Sequence, residues 1–317
     1  LRSESLGTMR GRARLEVPPG WSVTPADAPF QLRGPGSGTT VEFRAKPPPS
    51  ISAGTYRMAA VAIASDGQRY ERGYSIIDYP HIRRQVLFTD AAAEVVVFDL
   101  VVDEDRRVGY VPGAGDVVAE AVRAMGLQVE ELDGRAVAAG DLSAYDAILL
   151  GIRAYERNPA VTESNDRLLD WVRSGGTLIV QYQQYAYFNG DYAPYRLRAR
   201  RPHDRVSDEN AAVTILVENH PVFSWPNRIG PSDFEGWVQE RGLYFASEWD
   251  ERYEVLLELA DAGEDPKRGG LLIAQVGDGL YVYTGLALFR QLPAGVPGAY
   301  RLLANLLSLS PRAGPSE

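Results

Sequence analysis

The sequence predicts a two-part protein, in which a small all-β sandwich precedes an open parallel α/β sheet with helices on both faces. Two observations support this prediction. In residues 1–80, short runs of alternating apolar and polar residues are separated by proline and glycine, and no useful helical period occurs. From residue 107 onward, apolar strand-sized runs alternate with amphipathic helical segments.

The first part, residues 1–82, is interpreted as a small β-sandwich. Its clearest predicted strands are residues 13–17, 40–44 and 56–62. Asp66-Gly67 predicts a hairpin turn that joins residues 56–64 to residues 70–77, because glycine tolerates a positive φ. A complete sandwich has about seven strands, and this part offers fewer. We therefore expect a sandwich that is incomplete at its start, an unpaired edge near residues 12–17, and a chain that is a piece of a longer protein.

Residues 83–104 are interpreted as a connector with one strongly β-prone run at residues 94–102. Two placements fit this run. It either folds back to close the sandwich or lies on the edge of the sheet that follows, and periodicity does not decide between them.

The second part, residues 105–312, is predicted to form the parallel α/β domain. Its predicted strands are residues 107–111, 127–132, 146–150, 177–182, 271–276 and 280–284. Its predicted helices are residues 117–125, 162–174 and 298–309. The third strand is almost wholly apolar, as expected of a strand that is buried on both faces. Residues 313–317 are expected to be a disordered tail.

Composition excludes several classes of function. The net charge of −9 is diffuse and argues against nucleic acid as a partner. No apolar run approaches the roughly 18 residues of a membrane span. The chain has no cysteine, which excludes disulfides, zinc–thiolate sites and cysteine nucleophiles. A serine elbow of the G-x-S-x-G type is also missing, and no cofactor is expected.

The glycine-rich turn at residues 109–116 lies between the first predicted strand and helix of the second part. It has neither Rossmann nor P-loop spacing, and Asp116 would repel a phosphate. We interpret Asp116 as a helix N-cap and the turn as structural.

Polar and aromatic residues follow several predicted strands at their carboxyl ends, where ligands of open α/β sheets bind. Amides pair with hydroxyls and rings cover apolar sugar faces, so these residues suit a carbohydrate-like ligand. The alternatives are a solvated loop with internal ion pairs and a tyrosine-rich packing segment. The candidate ligand-binding residues are Arg153, Tyr155, Glu156, Asn158, Gln181, Tyr182, Gln183, His203, Arg205, Trp237, Arg241, Arg290 and Gln291.

Weak acid–base candidates are Glu156, His203 and Glu240, which would have to converge in space to act together. The chain has three histidines without metal-ligand spacing, so no metal site is expected. An ion-pair network around Asp204 is the alternative interpretation for His203. Trp237 fits a core position as well as a ligand-binding one.

Two stretches resemble known families. Residues 15–21, 40–44 and 54–56 resemble the NEW3 type of Ig-like domain found beside carbohydrate-active enzymes. Residues 151–156, 175–181, 233–245, 283–285 and 289–300 resemble the class I glutamine-amidotransferase-like domain at the C-terminus of long bacterial PIG-L/LmbE-type deacetylases. The resemblance implies a flavodoxin-like fold for the second part. Its zinc motif Ala-His-Pro-Asp-Asp and its amidotransferase cysteine are both missing here.

The resemblance implies a non-catalytic accessory region that binds a glycan or small polar ligand, or positions an upstream deacetylase domain of the same protein. A homo-oligomer built through exposed aromatics at Trp225, Trp237 and Tyr300 is the first alternative. A hydrolase that uses carboxylate and histidine groups is the second. A periplasmic or secreted location is favoured over a cytoplasmic one.

Overall fold

The computed structural model describes residues 1–310. The chain divides into two compact units, Leu1–Asp99 and Leu100–Glu317. Their boundary falls inside the segment interpreted from the sequence as a connector. The tail expected at residues 313–317 lies outside the described residues.

The first unit is built from short antiparallel strands. The strands are β1 (Arg2–Ser3), β2 (Thr8–Glu16), β3 (Ser22–Thr24), β4 (Ala28–Arg33), β5 (Ser37–Gly38), β6 (Arg44–Lys46), β7 (Gly54–Ala64), β8 (Arg69–Tyr70), β9 (Arg72–Ile77), β10 (Gln85–Asp90) and β11 (Ala92–Val97). One sheet has the order β11-β7-β2-β4, with β8 paired to β7. The remaining strands form the pairs β1–β5, β3–β6 and β9–β10.

β2 lies in the middle of the larger sheet, so the unpaired edge expected at residues 12–17 is wrong. Residues 8–13 pair with β4, and residues 11–16 pair with β7. Gly11 permits this close pairing, because a Cβ there would lie 2.1 Å from the carbonyl oxygen of Ile63. β11 pairs along residues 54–59 of β7. Two placements were considered for the β-prone run of the connector. Its strand, β11, joins the sheet of the first unit.

The hairpin predicted around Asp66-Gly67 is correct only near its turn. β7 and β8 pair at Ala62 with Tyr70 and at Ile63 with Arg69. The chain then leaves this sheet, and β9 pairs with β10 instead of continuing along β7. The turn chemistry was recognisable, but alternation in the sequence does not say which strand an apolar run will join.

The second unit is a mixed α/β structure. Its strands are β12 (Arg107–Val111), β13 (Gln128–Glu131), β14 (Ala147–Leu150), β15 (Thr177–Gln181), β16 (Leu197–Arg198), β17 (Asp204–Val206), β18 (Val213–Ile215), β19 (Gly242–Phe245), β20 (Glu248–Trp249), β21 (Glu254–Val255), β22 (Leu257–Leu259), β23 (Leu271–Val276) and β24 (Gly279–Thr284). Its helices are α1 (Val118–Ala124), α2 (Gly134–Ala139), α3 (Ala154–Arg157), α4 (Pro159–Glu163), α5 (Asn165–Arg173), α6 (Tyr185–Asn189), α7 (Pro221–Ser224), α8 (Leu288–Gln291) and α9 (Pro297–Leu307), with 3₁₀ turns at Leu142–Ala144 and Pro231–Phe234.

A seven-stranded, mostly parallel sheet organises this unit. Its order is β13-β12-β14-β15-β24-β23-β21. The strands β13, β12, β14, β15 and β24 run parallel, whereas β23 and β21 run antiparallel to their neighbours. Small antiparallel pairs, β16–β20, β17–β19 and β18–β22, lie outside this sheet.

β14 shows why the central strands are apolar throughout. Ala147 and Leu149 pack into the core on one face of the sheet, and Ile148 and Leu150 pack into the core on the other. Successive side chains of a strand point to opposite faces, and both faces of this parallel sheet are covered, so every position must be apolar.

The helix predicted at residues 162–174 is two helices, α4 and α5. The first begins at Pro159, where the side chain of Asn158 accepts a hydrogen bond from the backbone N–H of Ala160 at 3.2 Å. Proline at the first helical position and an asparagine cap favour this start. Within residues 1–310 no helix is both long and apolar enough to cross a membrane.

Candidate functional site

Parallel strands bring their carboxyl ends to one edge of the sheet. β14 ends at Leu150, β15 at Gln181 and β24 at Thr284. The register pairs Leu150 with Val180 and Gln181 with Thr284, so these strands end within one residue of one another. The segments that follow them, residues 151–156, 182–185 and 285–290, therefore meet at this edge. We call it the carboxyl edge.

Arg153 and Glu156 lie in the tight turn after β14. The backbone N–H of Arg153 donates to the carbonyl oxygen of Tyr182 at 2.9 Å. Glu156 accepts a hydrogen bond through Oε1 from the backbone N–H of Gln184 at 2.9 Å. Its Oε2 lies 3.6 Å from Nε of Arg153, and both atoms are buried without a hydrogen-bond partner. Burial raises the pKa of Glu156, and the Gln184 amide and Arg153 partly oppose the rise.

Gln181 carries a third buried polar atom without a hydrogen-bond partner. Its side chain is 1% exposed and donates through Nε2 to the carbonyl oxygen of Leu150 at 3.3 Å. Its Oε1 is buried and has no hydrogen-bond partner among the described residues. Buried polar atoms in folded proteins are nearly always hydrogen-bonded. Gln181 Oε1 and the loose Arg153–Glu156 ion pair therefore mark a place where a ligand or water can supply hydrogen bonds.

Aromatic rings form a wall beside these groups. The ring of Tyr182 lies 5.6 Å from that of Tyr244 and 5.7 Å from that of Phe289. Tyr185 meets Tyr244 edge-on at 5.0 Å, and His203 stacks on Tyr244 at 3.8 Å with the rings 4° from parallel. Burial raises the pKa values of Tyr182 and Tyr244, so both remain neutral phenols at neutral pH.

The β17–β19 pair places His203 on this wall. Asp204 pairs with Phe245, with a register irregularity between Asp204 and Arg205. The pairing brings the start of β17 beside the end of β19, and the ring of His203 stacks on that of Tyr244 there. Burial, with Arg205 adding to it, lowers the pKa of His203, whereas Asp204 and Glu240 act in the opposite direction. The ion pair expected at Asp204 forms with Arg200.

Glu240 and Arg290 close the far side of the wall. Nε of Arg290 donates to Oε1 of Glu240 at 2.6 Å, and its NH1 donates to Oε1 of Gln239 at 2.6 Å. The same guanidinium lies 4.9 Å from the ring centre of Phe289. The side chain of Glu240 is 15% exposed, so this ion pair is partly shielded from water.

The three acid–base candidates of the sequence lie around the same aromatic wall, with Glu156 bonded to the Gln184 amide, Glu240 bonded to Arg290 and His203 stacked on Tyr244. Glu156 and Glu240 both influence the phenol of Tyr182 electrostatically. Glu240 also acts on His203. The carboxyl edge thus holds two carboxyl groups and an imidazole around one aromatic wall.

Backbone strain is concentrated at the same place. Four non-glycine residues of the described chain have a left-handed φ. Three of them, Arg153 at +57°, Gln239 at +67° and Tyr244 at +52°, belong to this site. Residues held in the left-handed region cost free energy and cluster at functional sites, because surrounding structure must enforce them.

Six predicted ligand-binding residues make hydrogen bonds inside the protein. Each is buried or partly buried, and polar atoms of its side chain bond to neighbouring protein groups. They are Tyr155 (hydroxyl to Asn165, 2.7 Å), Asn158 (cap of α4), Gln183 (to Tyr155, Gly151 and Gln181), Trp237 (indole to Asp233, 3.1 Å), Arg241 (to Ala211 and Phe234) and Gln291 (to Val238 and Glu240).

Two arginines at the rim make no ion pair within residues 1–310. The guanidinium of Arg201 lies 3.9 Å from the ring centre of Tyr185. Arg205 is exposed and close enough to His203 to affect its charge. Both leave a positive group available beside the aromatic wall.

The turn at residues 109–116 is held by Asp116, but the predicted N-cap role of Asp116 is wrong, because α1 begins one residue later and its N-cap is Val117. The carboxylate of Asp116 accepts hydrogen bonds from the Tyr110 hydroxyl and from the backbone N–H groups of Val118 and Ile152, the latter two at 3.1 Å. A Cβ on Gly113 would lie 2.0 Å from the Ile152 carbonyl oxygen. The chain order of the strands reverses between β12 and β14. The carboxylate of Asp116 lies at this switch point, bonded to the segments that follow both strands.

Sequence reasoning missed Tyr244, Tyr185, Gln184, Gln239 and Arg201 as members of the site. Gln184 and Tyr185 stand in the amide–tyrosine run at residues 181–188, which was the available signal. Tyr244 and Gln239 carry no local signal, because their left-handed backbone is not visible in residue type. Within residues 1–310 no group of three or more His, Asp or Glu side chains could hold a metal ion.

The chain matches no protein-family model and no curated protein sequence. Among solved structures, it is similar to a cytoplasmic protein from Salmonella typhimurium, with 14% identity, a TM-score of 0.41, and coverage of 74% of this chain and 94% of that one. It is also similar to a β-galactosidase from Rahnella sp. R3, with 15% identity and a TM-score of 0.36. That match covers 63% of this chain and 30% of the enzyme. At such TM-scores these likenesses carry no argument about fold or function.

Proposed function

We propose that the second unit binds a carbohydrate-like polar ligand at the carboxyl edge, as a non-catalytic accessory region of a PIG-L/LmbE-type deacetylase. The observation that carries this proposal is the set of buried polar atoms without a hydrogen-bond partner beside the wall of Tyr182 and Tyr244, namely Gln181 Oε1 and the loosely ion-paired Arg153 Nε and Glu156 Oε2. Polar atoms that lack hydrogen-bond partners and lie next to aromatic rings suit a ligand that has both hydroxyl groups and an apolar face.

The rim favours a ligand that also carries an acidic group. Arg201 and Arg205 have no carboxylate partner within residues 1–310, and Arg290 is held by Glu240 on the opposite side. Guanidinium groups bind carboxylate and sulfate through paired hydrogen bonds. Uronic acids and sulfated sugars therefore belong in any ligand panel beside neutral oligosaccharides.

The strand order supports a flavodoxin-like arrangement for this unit. Numbered along the chain, the parallel strands β12, β13, β14, β15 and β24 lie in the order 2-1-3-4-5. This is the order implied by the amidotransferase-like resemblance. Ligands of such a sheet bind at its carboxyl edge, beside the switch point between β12 and β14. Here the candidate groups follow β14, β15 and β24, and those after β14 border that switch point.

Titration calorimetry with the full chain tests the proposal. The panel holds neutral oligosaccharides, uronic-acid oligosaccharides and sulfated oligosaccharides. We expect binding by one acidic class, a loss of affinity in Tyr244→Ala, and no change in Tyr79→Ala, whose ring is 58% exposed in the first unit. Absence of binding across the panel, or equal loss in both variants, would contradict the proposal.

A second candidate function, a hydrolase, is favoured by one observation. Burial raises the pKa of Glu156, as a general acid requires, while Glu240 and His203 lie in electrostatic reach of the same tyrosine wall. Turnover of a chromogenic glycoside or acetylated sugar that disappears in Glu156→Gln but survives in Tyr79→Ala would establish it. Ligand binding without turnover would leave the accessory function alone.

A further inference from the structure

β10 is an exposed apolar strand with one free edge. It pairs with β9 from Gln85 opposite Ile77 to Asp90 opposite Arg72. All six of its residues are exposed, including Val86 at 50%, Leu87 at 53% and Phe88 at 63%. Within residues 1–310 the only strand it pairs with is β9. Its other backbone edge therefore has no strand beside it.

An isolated two-stranded sheet with such an edge invites a further strand. Two strands alone are marginal in water, and an unpaired apolar edge is a template for pairing with another chain. The neighbouring residues Ile76, Tyr79 and Ile82 are exposed as well, at 38%, 58% and 39%. Clustered exposed apolar residues on a folded protein mark an interaction surface.

We propose that β10 pairs antiparallel with β10 of a second copy, with Leu87 on the two-fold axis. The sequence of the strand is self-complementary about that residue. In this register Leu87 lies opposite Leu87 of the second copy. Val86 lies opposite Phe88 of that copy, Gln85 opposite its Thr89 and Arg84 opposite its Asp90. A two-fold interface requires the same surface patch on both partners, and each of these facing pairs is favourable.

Side-chain directions agree with this register. Val86 and Phe88 lie on one face of β10, where Phe88 meets Tyr74 at 6.4 Å, and both line the groove of about 1560 Å³ over the sheet of the first unit. Arg84 lines the same groove, and it makes no ion pair within residues 1–310. Arg84 can meet Oδ1 of Asp90 in the partner copy, which lies 4.0 Å from Arg72, while Oδ2 of Asp90 accepts a hydrogen bond from Arg57 at 2.6 Å.

Pairing of this kind joins two hairpins into one four-stranded sheet. It buries the apolar residues of β10 that the monomer leaves in water. The opposite-charge pair at each end fixes the register, because a strand of unrelated sequence would not place an acid opposite Arg84 and an aromatic residue opposite Val86 together. Self-association is therefore assigned to the hairpin and not to the aromatic residues Trp225, Trp237 and Tyr300. Of these, Trp237 is only 3% exposed.

Disulfide cross-linking of the full chain tests the register directly. The chain has no cysteine, so each introduced cysteine is unique. Directly opposed residues of antiparallel strands have Cα atoms about 4.5–5.5 Å apart, which a disulfide can bridge. We expect Leu87→Cys to form a covalent dimer under mild oxidation, and Leu6→Cys, at a residue 92% exposed, to remain monomeric. Equal cross-linking of both variants, or of neither, would overturn the proposal.

Charge variants test the same axis without oxidation. Leu87→Lys and Leu87→Glu each place like charges opposite each other, so each alone should be monomeric by sedimentation. Mixing the two variants places opposite charges together and should restore the dimer. A wild-type chain that is monomeric at every concentration would contradict the proposal. So would a dimer that survives in Leu87→Lys alone.

Discussion

β10 in the first unit and β14 in the second are runs of similar residues in opposite surroundings. Gln85–Asp90 includes Val86, Leu87 and Phe88 and is exposed at every position. Ala147–Leu150 is buried at every position. The difference lies in what covers each strand. β14 lies between two packed cores, whereas β10 lies at the edge of a two-stranded sheet. β propensity therefore predicts that a strand forms and says little about its burial.

The largest expected difference in the free energy of unfolding comes from truncating one leucine side chain in each strand. Leu150 is completely buried, so Leu150→Ala should lower the free energy of unfolding by about 2–5 kcal/mol through lost burial and a cavity. Leu87→Ala removes the same atoms from water and should change it by at most about 0.5 kcal/mol in a dilute sample. Calorimetric unfolding of both variants checks this, and comparable losses would break the contrast between the strands.

The next largest difference in the free energy of unfolding is expected from removing a tyrosine hydroxyl group. The Tyr155 hydroxyl donates to Asn165 Oδ1 at 2.7 Å in the buried core, so Tyr155→Phe should cost about 1–3 kcal/mol by leaving that oxygen unpaired. Tyr56 donates to Ser52 at 2.8 Å at an exposed position, where water replaces the bond. Tyr56→Phe should change the free energy of unfolding very little. Denaturant titration of both proteins distinguishes them, and equal costs would contradict the explanation.

The pH dependence of stability tests the burial of Glu156. Its raised pKa means that the folded state binds a proton more tightly than the unfolded state does. This contribution is complete below the unfolded value of about 4.3 and is lost as the pH rises through the folded pKa. Glu156→Gln does not titrate, so it should gain stability relative to the original protein across that rise. A melting-temperature difference that does not vary with pH would refute this.

The smallest effect is expected for the exposed ion pair between β7 and β10. Arg57 donates to Asp90 at 2.6 Å, and both side chains are about 60% exposed. Exposed pairs contribute about 0–1 kcal/mol and are screened by salt. Arg57→Met should therefore lower the melting temperature slightly at low ionic strength and not at high ionic strength. A large loss that persists in salt would show that this ion pair is better shielded than its exposure indicates.

Part of the candidate site was accessible from the sequence. Arg153, Glu156 and Tyr182 follow parallel strands, and the carboxyl ends of such strands must share an edge. Their proximity therefore follows from strand prediction alone. The same logic placed Arg290 at that edge after β24.

The rest of the site depends on pairing between distant segments. His203 reaches Tyr244 only because β17 pairs with β19, with a register irregularity at Asp204 and Arg205. No local pattern specifies a short, irregular pair of strands. The buried roles of Tyr155, Gln183 and Gln291 were equally hidden, because an amide or phenol that satisfies a loop and one that binds a ligand have the same residue type.

Hydrogen exchange with and without the tightest ligand of the panel tests the central assignment most directly. The account predicts added protection of backbone amides in residues 153–156, 182–185 and 239–244, where the carboxyl edge carries its polar atoms without hydrogen-bond partners and its strained backbone. Amides of β10 should show no ligand-dependent change. Protection confined to the first unit, or absent from the segments after β14 and β15 while the ligand is bound, would contradict the assignment of the ligand site to the carboxyl edge.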